Sequence, residues 1–456
     1  MSWKSYLLGD ILKKKRTSEK IDSEKEYKLV TIRLYHKGVL LRSKVKGSEI
    51  KSSMASIREG DFILSGIDAR NGAFGIVPHE LDGAIVTNDF WCLEPDKTIV
   101  DKEFLLHLTS SDFFDQICKQ SSDGTTQRIR LQKEKFFGYK IDLPSIDKQK
   151  IILLKLKFQG VIKEKLSTEL AHQLTLVKKL RQQLLQDAVQ GKLVKQNKKD
   201  EPASELLKKI KAERLNRDAA LARPKKEKEL PPIKPEEIPF DIPENWVWCR
   251  LGEISSEILG GFAFDSTRYS KVETNYQVIR LGNVKPNQIV LETSPVFIDK
   301  SYSIEASRSK LQIGDVLITM TGTRAKKDYL FTLCLNESDV VTKELFLNQR
   351  VGCFRFGNFT VNEFINNCLK DIRILNPVFD SSTGAANQAN IGIASLKDVL
   401  IPLPPLSEQK RIVQKVVELM QYCNNLEESI QQSAAQNEKL LQQVLREALR
   451  REPVEA

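Results

Sequence analysis

The feature that most constrains this chain is an internal repeat. The phrase LPSIDKQKII begins at Leu143, and LPPLSEQKRI begins at Leu403, 260 positions later. Gly124 and Gly384, which stand in polar loops ahead of the two phrases, are also 260 positions apart. Self-similarity at such a long spacing predicts two related structural units in one chain.

The similarity reaches back to the start of each copy. Trp3 in SWKSYLLGDI matches Trp246 in NWVWCRLGEI, and REGDFIL around Gly60 matches QIGDVLI around Gly314. Both copies, 1–143 and 244–403, combine short alternating segments typical of strands with one predicted helix each, at 101–120 and 361–372. The sequence therefore predicts two mixed α/β domains within an α+β multidomain chain.

A long helix is predicted after each domain, over 144–195 and 404–451, with Asp147 and Ser407 as N-caps and Gly191 as a C-terminal stop. About 44 helical residues would extend roughly 65 Å. Residues seven apart form a heptad seam that predicts a two-helix coiled coil. The seam residues are Leu156, Leu170, Val177 and Leu184 in the first helix, and Val416, Cys423, Ile430, Asn437 and Val444 in the second. A companion row, also seven apart, contains Ile152, Gln159, Leu166, Gln173 and Leu180 in the first helix and Ile412, Leu419, Leu426, Ser433 and Leu440 in the second.

Residues 196–243 are predicted to be a basic, proline-rich linker with one short helix from Pro202 to about Ala222.

Composition limits the class of protein. The 456 residues suffice for two or three domains, and 71 Lys and Arg against 60 Asp and Glu give a net charge of +11, which suits a polyanionic partner. Seven scattered cysteines without a CxxC pair predict reduced thiols, no metal site and a cytoplasmic location. The sequence shows no membrane span or secretion signal.

Catalytic motifs for nucleotide hydrolysis, metal chemistry or a nucleophilic serine were not found in the sequence. The segment Asn376–Phe379 resembles the Asn-Pro-x-aromatic motif of amino-methyltransferases, but no glycine-rich cofactor loop precedes it. A turn after a helix is the favoured interpretation of this segment.

Polar loops are the predicted contact sites. Arginine suits guanine edges, asparagine and glutamine suit adenine edges, and threonine and lysine suit phosphates. The candidate DNA-binding residues are Arg70, Asn71, Gln127, Arg128 and Arg130 in the first copy, and Thr321, Thr323, Arg324, Lys326, Asn387, Gln388 and Asn390 in the second.

Three phrases together carry a resemblance to a known family: LPPLSEQKRI, DEPASELLKKI and LPPIKPEEIPFDIPENWVWCRLGEI. In this order they resemble the specificity subunit of type I restriction–modification systems. The resemblance implies two target recognition domains, 1–143 and 244–403, separated by two long helices that pair as an antiparallel coiled coil.

The resemblance also implies a non-catalytic subunit that binds double-stranded DNA at a bipartite, asymmetric target. Its partners would be two methyltransferase subunits, with restriction and translocase subunits joining them in host defence. S-adenosylmethionine, ATP and Mg²⁺ would then belong to the partners, with no cofactor in this chain. Two alternatives remain open: a coiled-coil scaffold, and a methyltransferase acting through Asn376–Phe379.

Overall fold

The chain forms two compact units, seen in a computed structural model. The structure describes residues 3–15, 17–124, 129–220, 230–384 and 388–448. Unit 1 comprises Met1–His172 and Ile430–Ala456, and unit 2 comprises Gln173–Ser429. Each unit thus contains one copy of the repeat together with part of both long helices.

The described strands of unit 1 are short and belong to four sheets. Their bounds are β1 (Lys4–Leu7), β2 (Leu12–Lys15), β3 (Thr17–Glu19), β4 (Glu26–Ile32), β5 (Val39–Lys46), β6 (Met54–Ser56), β7 (Phe62–Ser65), β8 (Phe74–Ile76), β9 (Ile85–Val86), β10 (Phe90–Pro95), β11 (Ser122–Asp123), β12 (Arg130–Leu131) and β13 (Lys140–Leu143). The largest sheets have the strand orders β3-β6-β9-β4-β5 and β2-β10-β7-β8, and β1 pairs with β13 and β11 with β12.

Helices pack beside these sheets. Their bounds are α1 (Leu8–Ile11), α2 (Lys102–Thr109), α3 (Asp112–Gln120), α4 (Lys133–Phe137) and α5 (Ile146–Val189). The single helix predicted at 101–120 is therefore two helices. Ser111 separates them, because its hydroxyl accepts a hydrogen bond from the Phe114 amide and caps α3.

Unit 2 uses the same scheme with longer connections. Its strands are β14 (Val247–Arg250), β15 (Ser255–Leu259), β16 (Tyr276–Ile279), β17 (Val284–Lys285), β18 (Gln288–Ile289), β19 (Val316–Thr319), β20 (Thr321–Gly322), β21 (Thr332–Cys334), β22 (Glu344–Leu347), β23 (Val351–Phe356), β24 (Ala389–Asn390) and β25 (Leu400–Leu403). Its helices are α6 (Ala203–Ala220), α7 (Leu251–Ile254), α8 (Lys300–Glu305), α9 (Glu337–Val340), α10 (Asn362–Cys368), α11 (Ile372–Asp380), α12 (Ile393–Lys397) and α13 (Leu406–Ala448).

The sheet order shows that the repeat is structural. The order β15-β23-β19-β21 in unit 2 corresponds to β2-β10-β7-β8 in unit 1, and the pair β14–β25 corresponds to β1–β13. In both units the pair joins the first strand of the copy to the strand that leads into the long helix. The domain therefore closes on itself just before that helix begins.

Each unit has its own apolar core. In unit 1, Phe104, Phe114 and Phe136 are completely buried beside Ile152 and Leu156 of α5. In unit 2 the core includes Trp246, Phe354, Phe364 and α13 residue Ile412, and the Trp246 and Phe364 rings meet edge to face at 6.1 Å between centroids. Each buried aromatic or aliphatic side chain contributes about 1.5–3 kcal/mol. The long helices are therefore part of the domain cores.

The long helices begin at Ile146 and Leu406, within the predicted ranges but before the predicted N-caps Asp147 and Ser407. The bonds from Gln149 N to Ser145 O and from Gln409 N to Pro405 O, both 2.9 Å, open α5 and α13. The predicted caps Asp147 and Ser407 therefore lie inside the first turns. Gly191 follows the end of α5 with a φ of 70°, as predicted for a C-terminal glycine. Among the described helices, none combines the length and apolar character needed to cross a membrane.

Candidate nucleic-acid interface

Two predicted loops of unit 2 meet through main-chain hydrogen bonds. Strand β20, in the loop that includes Thr321, pairs antiparallel with β24, which includes Asn390. The Ile391 amide then donates to the Met320 carbonyl at 2.8 Å. Gln388 is exposed and Asn390 is half-buried beside this joint, while Asn387 lies outside the described residues. The fold thus brings together side chains almost seventy positions apart in sequence.

The main-chain bond that closes this joint recurs in unit 1, although the described residues there form no strand pair equivalent to β20–β24. Strand β12 pairs with β11, and the Leu131 amide donates to the Gly66 carbonyl at 2.8 Å. Gly66 and Leu131 therefore occupy the places that Met320 and Ile391 hold in unit 2. Arg130 precedes the joint and is exposed. The predicted residues Gln127 and Arg128 lie outside the described residues.

Residues that precede the joint differ between the units. Arg130 of unit 1 and Asn390 of unit 2 occupy matching positions, and arginine and asparagine prefer different base edges. The Arg130 guanidinium lies 3.0 Å from the Asp89 carboxylate, with 58% and 42% of the two side chains exposed. An ion pair this exposed contributes little to stability. A competing acceptor therefore displaces it at little cost.

Several predicted residues of unit 2 hold the loop in place. The Arg324 guanidinium donates to the hydroxyl and the carbonyl of Ser382, 58 positions away. The Thr321 hydroxyl is buried without a hydrogen-bond partner among the described residues. The Thr323 amide donates to the Asp328 carboxylate at 2.5 Å, and Lys326 is exposed. Arg324 and Lys326 are both exposed, but the Arg324 guanidinium is already engaged by Ser382.

Arg70 and Asn71 lie on a short 3-10 turn, Ala69–Asn71, that follows β7. Both side chains are half-buried. The Asn71 carbonyl accepts a hydrogen bond from the Tyr35 amide at 2.8 Å, so the hairpin between β4 and β5 docks on this turn. The sequence predicted both strands of this hairpin, but its tip was not among the predicted contact sites. The signal was the polar tip between the segments YKLVTIRL and GVLLRS.

A second site lies where each domain meets its long helix. Gln149 is buried at the start of α5; its amide nitrogen donates to the carbonyls of Ile99 and Pro144 at 2.9 Å, and its oxygen accepts from the Asp101 amide at 2.8 Å. Such bonds satisfy buried main-chain groups that would otherwise be costly. We call this arrangement the glutamine clamp.

The glutamine clamp is repeated in unit 2. Gln409 accepts from the Val361 amide at 2.9 Å and donates to the Pro404 carbonyl at 3.0 Å. The clamp explains why the repeated phrases share a glutamine in their middle. Sequence reasoning noted the phrases without assigning this role to the residue.

The predicted seam residues of unit 1 lie between the two helices. Leu156, Leu170, Ile430 and Asn437 are buried, and Val444 is half-buried against the core. The Asn437 side chain donates to the Lys163 carbonyl at 3.0 Å and the Ser167 hydroxyl at 2.9 Å. Its oxygen is buried without a hydrogen-bond partner among the described residues.

In unit 2, Val177, Val416 and Cys423 are buried, and Leu184 is half-buried. Arg181 pairs with Glu427 at 2.8 Å, while the end of α5 packs against Ile412 and Val416. Positions that rise along α5 thus meet positions that fall along α13, which makes the pairing antiparallel. The companion row is buried only at the helix ends that lie in the domain cores, where Ile152 and Ile412 are 4% and 0% exposed. Leu166, Leu180 and Leu426 are 40%, 43% and 50% exposed.

The methyltransferase-like segment is part of helix α11 and does not form the turn that was favoured. Asn376 is exposed, whereas Phe379 is buried and packs edge to face on Tyr329 at 4.9 Å. The polar and aromatic side chains of the segment are thus on different sides of the helix. This arrangement does not favour a shared base pocket.

Two sheet-based domains with matching polar loops, each followed by a long helix, define a protein with a tandem domain repeat. A family profile described as "Type I restriction modification DNA specificity domain" matches residues 1–184 and 243–436. The chain belongs to this family, and the resemblance predicted from its phrases is confirmed.

Curated relatives support the assignment. The Type I restriction enzyme EcoAI specificity subunit of Escherichia coli is 35% identical over 54% of this chain and 40% of its own length. The EcoEI specificity subunit of the same organism is 29% identical over 59% of this chain and 44% of its own length. These matches cover less than half of each relative.

Solved structures share the fold. The HsdS subunit from Thermoanaerobacter tengcongensis has a TM-score of 0.58 at 19% identity and covers 98% of this chain and 96% of its own. A chain from a structure described as the basis of complex assembly and conformational transition of the type I R-M system has a TM-score of 0.54 at 20% identity, covering 98% and 97%. The predicted fold class is confirmed.

Proposed function

We propose that this chain is the non-catalytic subunit that recognises a split, asymmetric target in double-stranded DNA, with each unit contacting one half. The observation that carries the proposal is the repeated loop joint. The same main-chain bonds, Leu131 to Gly66 and Ile391 to Met320, assemble two loops in each unit. A conserved frame with different side chains on it suits two different half-sites.

The chemistry of the loops supports duplex DNA as the ligand. Arginines at 70 and 130 in unit 1 suit guanine, whereas Gln388 and Asn390 in unit 2 suit adenine. A good bidentate pair discriminates by about 1–3 kcal/mol, so two sets of contacts give a long composite target. The net charge of +11 favours the phosphate backbone.

Partner subunits would supply the catalysis. Methyltransferase subunits, two in number, would carry S-adenosylmethionine, and restriction subunits would carry ATP and Mg²⁺. This chain would direct adenine methylation in the cytoplasm. That assignment agrees with the absence of matching catalytic motifs in its sequence.

Apolar side chains on the long helices support partner binding. On α5 in unit 1, Ile151, Leu154 and Phe158 are 54%, 69% and 65% exposed. On α13 in unit 2, Val417 and Tyr422 are 65% and 60% exposed. Ile151, Leu154 and Phe158 are spaced by three and four and therefore lie on one face of α5, and contiguous apolar faces of this kind mark interaction sites. Val417 and Tyr422 are five positions apart and do not share a face in this way.

Coexpression with a modification partner in an unmethylated host tests the recognition proposal. Sequencing of adenine methylation should reveal one split motif, and Asn390→Ala should relax or abolish the half that unit 2 reads. Binding of purified chain to duplex DNA should also weaken steeply with salt. Unmodified DNA together with salt-insensitive binding would favour the scaffold alternative.

Leu154→Glu and Phe158→Glu together test the partner face. The double variant should lose coelution with the methyltransferase subunit in size-exclusion chromatography, because two carboxylates would enter an apolar contact. Glu164→Lys, at an exposed position of α5 away from this face, is the matched control and should retain the partner. Equal retention by both variants would place the partner elsewhere.

A further inference from the structure

The hairpin between β4 and β5 is docked against the predicted recognition loop of unit 1. We call residues 33–38 the hairpin tip. The Arg33 amide donates to the Gly38 carbonyl at 3.0 Å and closes the tip. The Tyr35 and His36 amides then donate to the Asn71 and Gly72 carbonyls at 2.8 and 3.0 Å. The tip is therefore continuous with the turn that presents Arg70 and Asn71.

The backbone of the tip is held in an unfavourable conformation. Tyr35 and His36 have φ values of 60° and 58°, in the left-handed region that most side chains avoid. Such residues persist where surrounding contacts impose the conformation, and they concentrate at functional sites. Here the main-chain bonds to Asn71 and Gly72 impose it.

His36 anchors the tip from its side chain as well. Its Nε2 lies 3.0 Å from the Asp115 carboxylate of α3. Its ring stacks on Phe74 with 5.2 Å between centroids and 25° between planes. A polar bond and a stacking contact together fix the imidazole, so the neighbouring residue is fixed too.

Glycines on the opposing surface make room for this docking. A Cβ atom at Gly72 would lie 2.5 Å from the His36 ring, and a Cβ atom at Gly75 would lie 3.2 Å from the Gly38 Cα. At these two positions glycine lacks the Cβ atom that would clash with the hairpin. The docked arrangement is specified by both partners.

The anchored tip presents an exposed aromatic ring, with a cationic residue two positions before it and another two positions after it in the sequence. Tyr35 is 73% exposed, and Arg33 and Lys37 are exposed on either side of it. A ring on an immobilised backbone loses little conformational entropy when it binds. Aromatic rings stack on bases, while arginine and lysine contact phosphates.

We propose that the hairpin tip is a third DNA-contacting segment of unit 1, in which Tyr35 contacts a base or sugar of the half-site read by Arg70 and Asn71. Arg33 and Lys37 contact the flanking phosphates. The inference rests on the proposed function and extends it to residues outside the two predicted loops. The left-handed backbone at Tyr35 and His36 then serves to hold the Tyr35 ring against the DNA.

The test compares variants of the full chain, purified with its methyltransferase partner, on a duplex carrying the methylated motif and on a scrambled duplex. Tyr35→Ala should weaken binding to the motif about tenfold or more, since base–aromatic stacking is lost. Tyr35→Asn should do the same, because asparagine tolerates the left-handed region and leaves the hairpin intact. Lys37→Ala should weaken binding to both duplexes. It should also reduce the slope of log affinity against log salt concentration by about one.

Leu40→Ala is the matched control, because Leu40 is 41% exposed on the same hairpin beyond the tip. Its binding should equal that of the wild type. If both Tyr35 variants bind the motif with wild-type affinity while Arg70→Ala binds it more weakly, the hairpin proposal is overturned and the proposed function stands. Loss of partner assembly by the Tyr35 variants overturns it in favour of a protein-docking role. Failure of the wild-type complex to bind either duplex overturns both proposals.

Discussion

The starts of the two long helices are alike in one residue and unlike in the next. Gln149 and Gln409 form the same glutamine clamp on the main chain of their own domains. The preceding residues are Lys148 and Glu408. Lys148 is half-buried with its ammonium 5.9 Å from the Trp3 ring centroid, whereas Glu408 is fully buried and accepts a hydrogen bond from Gln196.

The difference continues two residues after the clamp. Arg411 of unit 2 binds the Asp200 carboxylate at 2.7 Å, so the start of the linker covers this helix start. The matching residue in unit 1 is Ile151, which is 54% exposed. The shared glutamine therefore attaches the domain to its helix in both units. Its variable neighbours decide what else can bind there.

The largest expected effect is on the clamp itself. Gln149→Leu removes three hydrogen bonds to main-chain groups, and leaving buried groups unpaired should destabilise unit 1 by about 3–5 kcal/mol. Gln409→Leu removes two and should cost unit 2 about 2–4 kcal/mol. Denaturant unfolding measured by tryptophan fluorescence checks both values.

Gln414→Leu on the exposed side of α13 is the control for the clamp variants. Its stability should stay within about 0.5 kcal/mol of the wild type. If either clamp variant behaved like this control, the glutamine would not be what joins domain and helix.

An intermediate change in stability is expected in the coiled-coil seam, where Val177 and Asn437 occupy matching heptad positions. Val177→Asn should destabilise by about 2–3 kcal/mol, because an amide would be buried without a prepared partner. Asn437→Val removes a buried unpaired oxygen but also two hydrogen bonds, to Lys163 and Ser167, so its stability should stay within about 1 kcal/mol of the wild type. Thermal unfolding distinguishes the two, and equal costs would contradict the asymmetry.

The smallest expected effect depends on pH. Burial raises the pKa of the Glu408 carboxyl, against opposing hydrogen bonds and the Arg411 charge. The folded chain therefore holds the proton more tightly than the unfolded chain, and stability falls as the pH rises through the raised pKa. Glu408→Gln cannot ionise, so its stability relative to the wild type should increase from acidic to neutral pH.

Lys148→Gln in unit 1 is the counterpart and should show no such trend. Unfolding midpoints of both variants and the wild type, measured from acidic to neutral pH, test this difference. A constant difference between Glu408→Gln and the wild type would mean that the carboxyl titrates as it does in solvent.

Local sequence patterns predicted much of the architecture. The repeat predicted two units, and heptads predicted the paired helices and most of their buried residues, because helix periodicity is a local property. The same pattern misplaced Leu426, which is 50% exposed. Heptad spacing alone does not show how wide the contact between two helices is.

The site was harder to predict because its contacts are not local. Nothing near Arg324 indicates that Ser382 will engage its guanidinium, and nothing near Tyr35 indicates docking on Asn71. Such pairings depend on how strands are ordered in the folded sheet. Sequence reasoning therefore found residues of the right chemistry without showing which of them are already engaged.

The glutamine clamp has a consequence for how such a protein can change. All the bonds made by Gln149 and Gln409 described above end on main-chain nitrogen or oxygen atoms. Because the glutamine clamp bonds only to the peptide backbone, it does not depend on the identity of the side chains around it. The domain surface can therefore diversify from one lineage to another, and acquire new targets, while the attachment to the helix stays intact.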